Sequence, residues 1–246
     1  MKKILLIAAT HGDEKIGIEV INNLIKKGYR EAFDFIIANP QAFQKNVRFI
    51  DFDLNRAYPG SKFSKLYEKR LAYRNLKIAK QYLYIIDLHE ASTGINDFII
   101  VPRRKLSRVF PIELINLKKV LLWPDPTGPL SQILKNAIEL EFGMKNRNRK
   151  RVVDKATKIM EGFIKNLQIK NPLYNKKEVY LVYGKLLSEA NRIDLDALKD
   201  FKKINLQGEE FYPLLVGQYL KEGITCYKMK RRGNFRRKID LEFCLF

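Results

Sequence analysis

Histidine and cysteine are scarce in this chain, two of each among 246 residues. Cys226 and Cys244 lie near the C-terminal end without CxxC spacing, which excludes a disulfide framework and a thiolate metal site and points to a reducing, cytoplasmic setting. No window approaches the roughly 18 continuous apolar residues that a membrane span needs, so no membrane partner is expected. The opening "MKKILLIAATHGDE" sets two lysines before an apolar run, as a secretory leader does, but Ile4 to Ala9 is short for that role and charge follows at once. Acidic residues are also in deficit, 27 against 47 Lys and Arg, for a net charge of +20. That balance raises nucleic acid as a partner, through the runs "KNRNRKR" (145–151) and "KMKRRGNFRRK" (228–238). Lysine is spread almost everywhere else, as in a chain that uses charge for solubility, and this makes nucleic acid the weaker reading.

What is present reads as alternating elements. "KKILLIAAT", "FDFIIANP", "YLYIIDLHE", "DFIIVP", "VLLWP" and "NAIELEFG" are apolar enough to be buried strands. Between them "EKIGIEVINNLIKKG" carries Ile16, Val20, Ile21, Leu24 and Ile25 on one helical face, and helices are expected over about 64–81 and 148–167. The pattern predicts an α/β layered domain over residues 1–170, with functional groups where strands end and loops begin. From 171 to 246 the character changes to short strands joined by Gly and Pro turns, predicting a small β-rich C-terminal domain.

The scarcity of histidine makes its placement informative. His11 ("ATHGDE") and His89 ("IIDLHE") each end a predicted buried strand, and in an open α/β sheet such ends converge on one edge. Glu14, three residues after His11, completes two imidazoles and a carboxylate with a fourth position open, the ligand set of a catalytic zinc. Asp87 shares a strand face with His89 and is a candidate to orient an imidazole through its second nitrogen. In "NVRFIDFDLNRAYPG", Arg48, Asn55 and Arg56 suit a substrate carboxylate, because a guanidinium fork binds it bidentately and an amide adds a directional donor. The competing reading ties that loop to its own Asp51 and Asp53. In "AIELEFG", one of Glu139 and Glu141 could take the proton from an attacking water. Both share one face of the strand, so alternation does not choose between them.

Taken in order, "HGDE", "NP" at 39–40, "RFIDFDLNRAYPG", "DLH" and "LEFG" resemble the succinylglutamate desuccinylase and aspartoacylase family, within the zinc carboxypeptidase-like fold. The resemblance spans about residues 4 to 143; beyond it only "FYPLLVGQ" is similar to the family's small β domain. It implies a mixed sheet with helices on both faces and one zinc per chain held by His11, Glu14 and His89. It also implies Arg48 polarising the scissile carbonyl, Asn55 and Arg56 holding the substrate carboxylate, and Glu141 as general base, with Glu139 a structural neighbour. The implied activity is a deacylase cleaving the amide of an N-acyl amino acid or similar small carboxylate-bearing substrate. A metallocarboxypeptidase acting on peptide C-termini would use the same residues. The stretch "GPLSQILKN" before the Glu-bearing strand carries Lys135 and no Arg to meet a second acidic group, so specificity for succinylglutamate or acetylaspartate is not expected.

Overall fold

The computed structural model describes residues 3–91, 96–102, 110–124, 128–188 and 194–235. Cys244 and the last three residues of the second basic run lie outside them. Ten strands form one mixed sheet in the order β2-β1-β3-β6-β4-β5-β7-β10-β9-β8. The strands β1 (Ile4–Ala8), β2 (Phe33–Ile37), β3 (Tyr84–Ala91) and β6 (Ala137–Gly143) run parallel. At β6 the direction reverses, because β4 (Asp97–Pro102) pairs with it antiparallel and β5 (Lys119–Trp123) then pairs parallel to β4. Among the described residues five α-helices accompany them: α1 (Ile16–Lys26), α2 (Pro40–Lys45), α3 (Tyr67–Ala79), α4 (Leu130–Ile133) and α5 (Arg149–Asn166). The sequence pattern anticipates α1, α3 and α5; α2 and α4 are too short for an amphipathic period to reveal.

Helices cover both faces of the sheet, and strand alternation decides which side chains meet them. Ile4, Leu6 and Ala8 of β1 and Ile138, Leu140 and Phe142 of β6 join one core with Ile16, Val20 and Leu24 of α1 and Val152, Met160 and Phe163 of α5. The opposite face carries Leu5, Ile7 and Ile85 against Leu71, Ala72 and Leu76 of α3. Asp87, His89, Glu139 and Glu141 lie on that second face by the same alternation. Their register is tight, Asp87 opposite Glu139 and His89 opposite Glu141.

The 170/171 position falls between α5 and β7 (Lys177–Leu187), and the sheet continues across it because β7 pairs in parallel with β5. β10 (Ile224–Phe235), β9 (Glu209–Leu214) and β8 (Ile204–Leu206) follow antiparallel. This β-rich part packs Leu214, Leu215 and Met229 onto Phe98, Ile100 and Leu121, so it covers the second face beside the polar groups. A cleft is left between the two apolar clusters of that face. Among the described residues no helix is long and apolar enough to cross a membrane.

Candidate metal and active site

β1 ends at Ala8, and the chain turns through Ala9, whose φ of 54° is left-handed, to place His11 over the cleft. Gly12 permits this turn: a Cβ there would stand 2.1 Å from the Ala42 backbone carbon, and its N–H donates to the Arg48 carbonyl at 3.1 Å. The glycine of "HGDE" thus seats the His11 turn directly on α2 and on the loop that carries Arg48.

His11, Glu14 and His89 meet in the cleft, their candidate ligand atoms all within 4.8 Å of one another. His11 Nδ1 lies 2.6 Å from Glu14 Oε1, and His89 Nδ1 lies 2.9 Å from Glu14 Oε2. All three side chains are buried. The far nitrogens face carboxylates too: His11 Nε2 is 3.3 Å from Asp53 Oδ1, and His89 Nε2 is 3.2 Å from Asp87 Oδ2. Asp87 takes its aligned hydrogen bonds from the Thr10 hydroxyl at 2.8 and 3.0 Å, so its approach to His89 is an ion-pair contact. At His11 a carboxylate bonded behind Nε2 leaves Nδ1 facing inward with its lone pair, the arrangement a divalent ion requires, while His89 Nε2 has Asp87 nearby without an aligned hydrogen bond. The donor set therefore fits a metal such as zinc, with two nitrogens, one carboxylate and no thiolate.

The electrostatics agree with a site shaped for positive charge. Burial works against protonated His11, but the Glu14 carboxylate, aided by Asp53, outweighs it and raises the imidazole to about 9. His89 is raised well above its ordinary value against the same burial penalty, by Asp87 and Glu14. Glu14 shows the converse: burial opposes its charge, and the two imidazoles hold it well below the usual carboxylate range. Protons on Nδ1 and a divalent metal satisfy the same carboxylate.

Glu139 and Glu141 both line this cleft. Glu139 accepts a hydrogen bond from the Ser131 hydroxyl at the start of α4. Glu141 is raised to about 7, chiefly by burial, with His89 opposing and the Glu14 and Glu139 carboxylates adding to the rise. A carboxyl poised there can exchange a proton near neutrality.

The loop 46–60 brings Arg48, Asp53, Asn55 and Arg56 to the same cleft. Arg48 pairs with Asp53 at 3.3 Å and reaches within 3.8 Å of Glu14. Arg56 is exposed and makes no ion pair among the described residues. The Asn55 side-chain oxygen is buried without a hydrogen-bond partner, an orphan that a bound ligand would satisfy. The reading that ties the loop to its own acidic residues is met at Asp53, which accepts from the Asn55 N–H at 2.9 Å and pairs with Arg48, whereas Asp51 accepts from the Tyr67 N–H of α3 at 2.7 Å.

Several residues here escaped the sequence reading. Asp53 backs His11, and Tyr219, Ile100, Trp123 and Leu215 form the walls. Glu68, fully buried on α3, accepts from the backbone N–H groups of Ile50 (2.7 Å), Asp51 (3.0 Å) and Phe52 (3.1 Å) and from the Asn39 amide (3.1 Å). One carboxylate thereby fixes the loop that presents Arg48, Asn55 and Arg56. Lys135 is exposed and lies outside the cavity wall.

The basic runs are used in part within the fold. Arg147 and Lys155 both pair with Asp97, and Arg149 with Glu19 and Glu90. In the second run Lys228 pairs with Glu209, Arg231 approaches Glu178 at 3.6 Å, and Met229 is core.

A mixed sheet with a buried His-Glu-His cluster at the ends of its parallel strands defines a zinc carboxypeptidase-like class of fold. Residues 1–167 match the model of the succinylglutamate desuccinylase/aspartoacylase catalytic domain, and the chain belongs to that family. It is 29% identical over 117 residues to a probable aspartoacylase of Prochlorococcus marinus subsp. pastoris, covering 43% of this chain and 39% of that one. It is 26% identical over 143 residues to the aspartoacylase of Mus musculus, covering 51% and 45%. The matched stretch thus spans less than half the length of these relatives. In fold, the chain resembles the succinylglutamate desuccinylase of Chromobacterium violaceum (TM-score 0.74, 20% identity, covering 94% of this chain and 84% of that one). It resembles murine aminoacylase 3 similarly (TM-score 0.71, 17% identity, covering 95% and 96%).

Proposed function

We propose that this protein is a zinc-dependent deacylase that hydrolyses the amide bond of small N-acyl amino acids. The observation that carries the reading is the pair of imidazoles sharing one carboxylate at their Nδ1 atoms, in the same cleft as a second carboxyl raised to about 7. His11, Glu14 and His89 would hold the ion, one per chain. When bound there, zinc would supply the Lewis acidity that brings the pKa of water toward neutrality.

The remaining roles belong to the chain's own groups. Glu141 takes the proton of the attacking water on its carboxylate and returns it to the departing amine nitrogen, which its position on the cleft and its raised pKa both suit. Arg48, held between Asp53 and Glu14, offers a fixed cation to the oxygen that gains charge as the carbonyl becomes tetrahedral. Arg56 and Asn55 bind the substrate's free carboxylate, the guanidinium as a forked donor and the Asn55 amide through its Nδ2–H, which leaves the orphaned Asn55 Oδ1 to accept from a substrate N–H. Asp53 and Asp87 keep the imidazoles turned. Leu215 and Tyr219 wall the cleft on the C-terminal side, and a cleft bounded there suits a small acylated amino acid better than a peptide.

The test is amine release from a panel of N-acyl amino acids and of peptides, with zinc present and after chelation. The reading expects release from the acylated amino acids, lost on chelation and restored by zinc. Turnover confined to peptides, or turnover indifferent to chelation, would contradict it.

A further inference from the structure

Glu14 stands at a turn whose own residues supply no helix cap. α1 begins just behind it at Ile16, and Lys15 at the cap position makes no side-chain cap hydrogen bond. The missing acceptor comes from the end of β3: Glu90 Oε1 accepts from the Lys15 N–H at 2.6 Å and from the Ile16 N–H at 2.7 Å. The backbone N–H of Glu90 in turn donates to Glu14 Oε2 at 3.1 Å, the same oxygen that faces His89 Nδ1. Glu90 thereby fastens both the carboxylate of Glu14 and the two residues that follow it. Its own carboxylate is held by Arg149, which donates to Oε2 at 3.1 Å and to Oε1 at 2.7 Å and reaches Glu19 of α1 at 3.0 and 3.1 Å. Arg149 is the first residue of α5, where the positive end of the helix dipole disfavours a cation. Local preference does not put an arginine there; the two carboxylates it grips do.

We propose that Glu90, aimed by Arg149, is a positioning residue of the metal centre, fixing the Glu14 carboxylate and so setting how tightly the ion is held. The inference rests on the reading of His11, Glu14 and His89 as that centre. A carboxylate that must be ordered when the ion arrives costs affinity, whereas one already braced by outer hydrogen bonds does not. Because Glu90 follows His89 directly, the same contacts tie the two ligand-bearing segments, the end of β3 and the turn before α1, to each other. Glu90 does not line the cleft, so it reaches a bound ion only through the ligands it braces.

The test is the zinc dissociation constant of the full chain, measured by competition with a chromophoric chelator beside the melting of the metal-free protein. Glu90→Ala should weaken zinc by about 10–100-fold, the scale on which outer hydrogen-bonding partners act on a metal site. Glu90→Gln keeps an oxygen for the two N–H groups and should recover most of that loss. Glu19→Gln, which loosens the other Arg149 pair but leaves the Glu90 cap, should bind zinc close to wild type. Where Glu90→Ala does not fold, Arg149→Met carries the test, since it removes the guanidinium that aims Glu90 and should weaken zinc by a smaller factor. A lowered melting temperature with zinc affinity unchanged, in Glu90→Ala or in Arg149→Met where only that variant folds, would make the clamp a fold-holding contact and overturn the proposal. An equal loss in Glu90→Gln and Glu90→Ala would overturn the cap as its means. A wild-type chain that binds no zinc would instead remove the metal centre itself, and the positioning role with it.

Discussion

The two walls of the cleft are built from opposite materials. The wall formed by the ends of β1 and β3 and the 46–60 loop is a network of buried charge, in which His11, Glu14, Asp53, Asp87 and His89 each face a partner within 3.3 Å. The wall supplied by the end of β5 and the C-terminal β-rich part is a set of rings and aliphatic side chains, Trp123, Leu215 and Tyr219, with the Tyr227 ring packed against Trp123 and Tyr219. The first is suited to hold an ion and move protons; the second is suited to sort substrates by shape. Chemistry and selectivity are thereby separated, and a change in one wall should leave the other's measurements untouched.

That separation can be broken or sharpened by substitution. The largest effect is expected from Glu141→Ala, which should lower kcat by about 10²–10⁴-fold with zinc still bound at wild-type level; near-normal kcat would remove Glu141 from the mechanism. Arg56→Ala should raise KM by about 10–100-fold with kcat little changed, because it loses a charge-assisted carboxylate contact present throughout the reaction. Steady-state kinetics that show the loss in kcat alone would refute that role.

Glu68→Gln sharpens the comparison within the polar wall. An amide nitrogen would face backbone N–H groups that now find an acceptor, so the loop should loosen. KM should rise by about tenfold and amide exchange at Ile50, Asp51 and Phe52 should accelerate, while zinc content holds. Unchanged exchange at those three amides would show that Glu68 does not position the loop.

The smallest effect is a pH dependence of the metal-free protein. His11 has a folded pKa raised from 6.5 to about 9. Its contribution to stability is thus complete below about 6.5 and is lost as pH rises through about 9. Melting of the metal-free wild type should fall more between pH 6.5 and 9.5 than that of His11→Ala; equal falls would contradict the pairing with Glu14.

The polar wall was largely legible in the sequence because its members sit in short segments. Two histidines in the whole chain, each at the end of an apolar run, could hardly be background, and strand alternation put Asp87 beside His89. The same alternation could not separate Glu139 from Glu141; the Ser131 hydroxyl on Glu139 becomes visible only once α4 is folded against β6. Glu68 was silent for a related reason, since it bonds backbone N–H groups 16 to 18 positions away and no side-chain pattern marks such acceptors. The apolar wall was not legible at all. Trp123 and Tyr227 stand 104 positions apart and meet only because β7 carries the late strands onto the edge of β5. Charge runs do not show their pairing in sequence: Arg147 and Arg149 look available for phosphates, the weaker reading of the basic balance, and are paired with Asp97, Glu19 and Glu90.

The central claim is that His11, Glu14 and His89 form a single metal centre, and metal content per chain tests it most directly. After purification and zinc reconstitution, the account predicts close to one zinc per wild-type chain and a loss of that zinc in His89→Ala. A wild-type chain that retains no zinc, or a His89→Ala chain that retains it fully, would contradict the account.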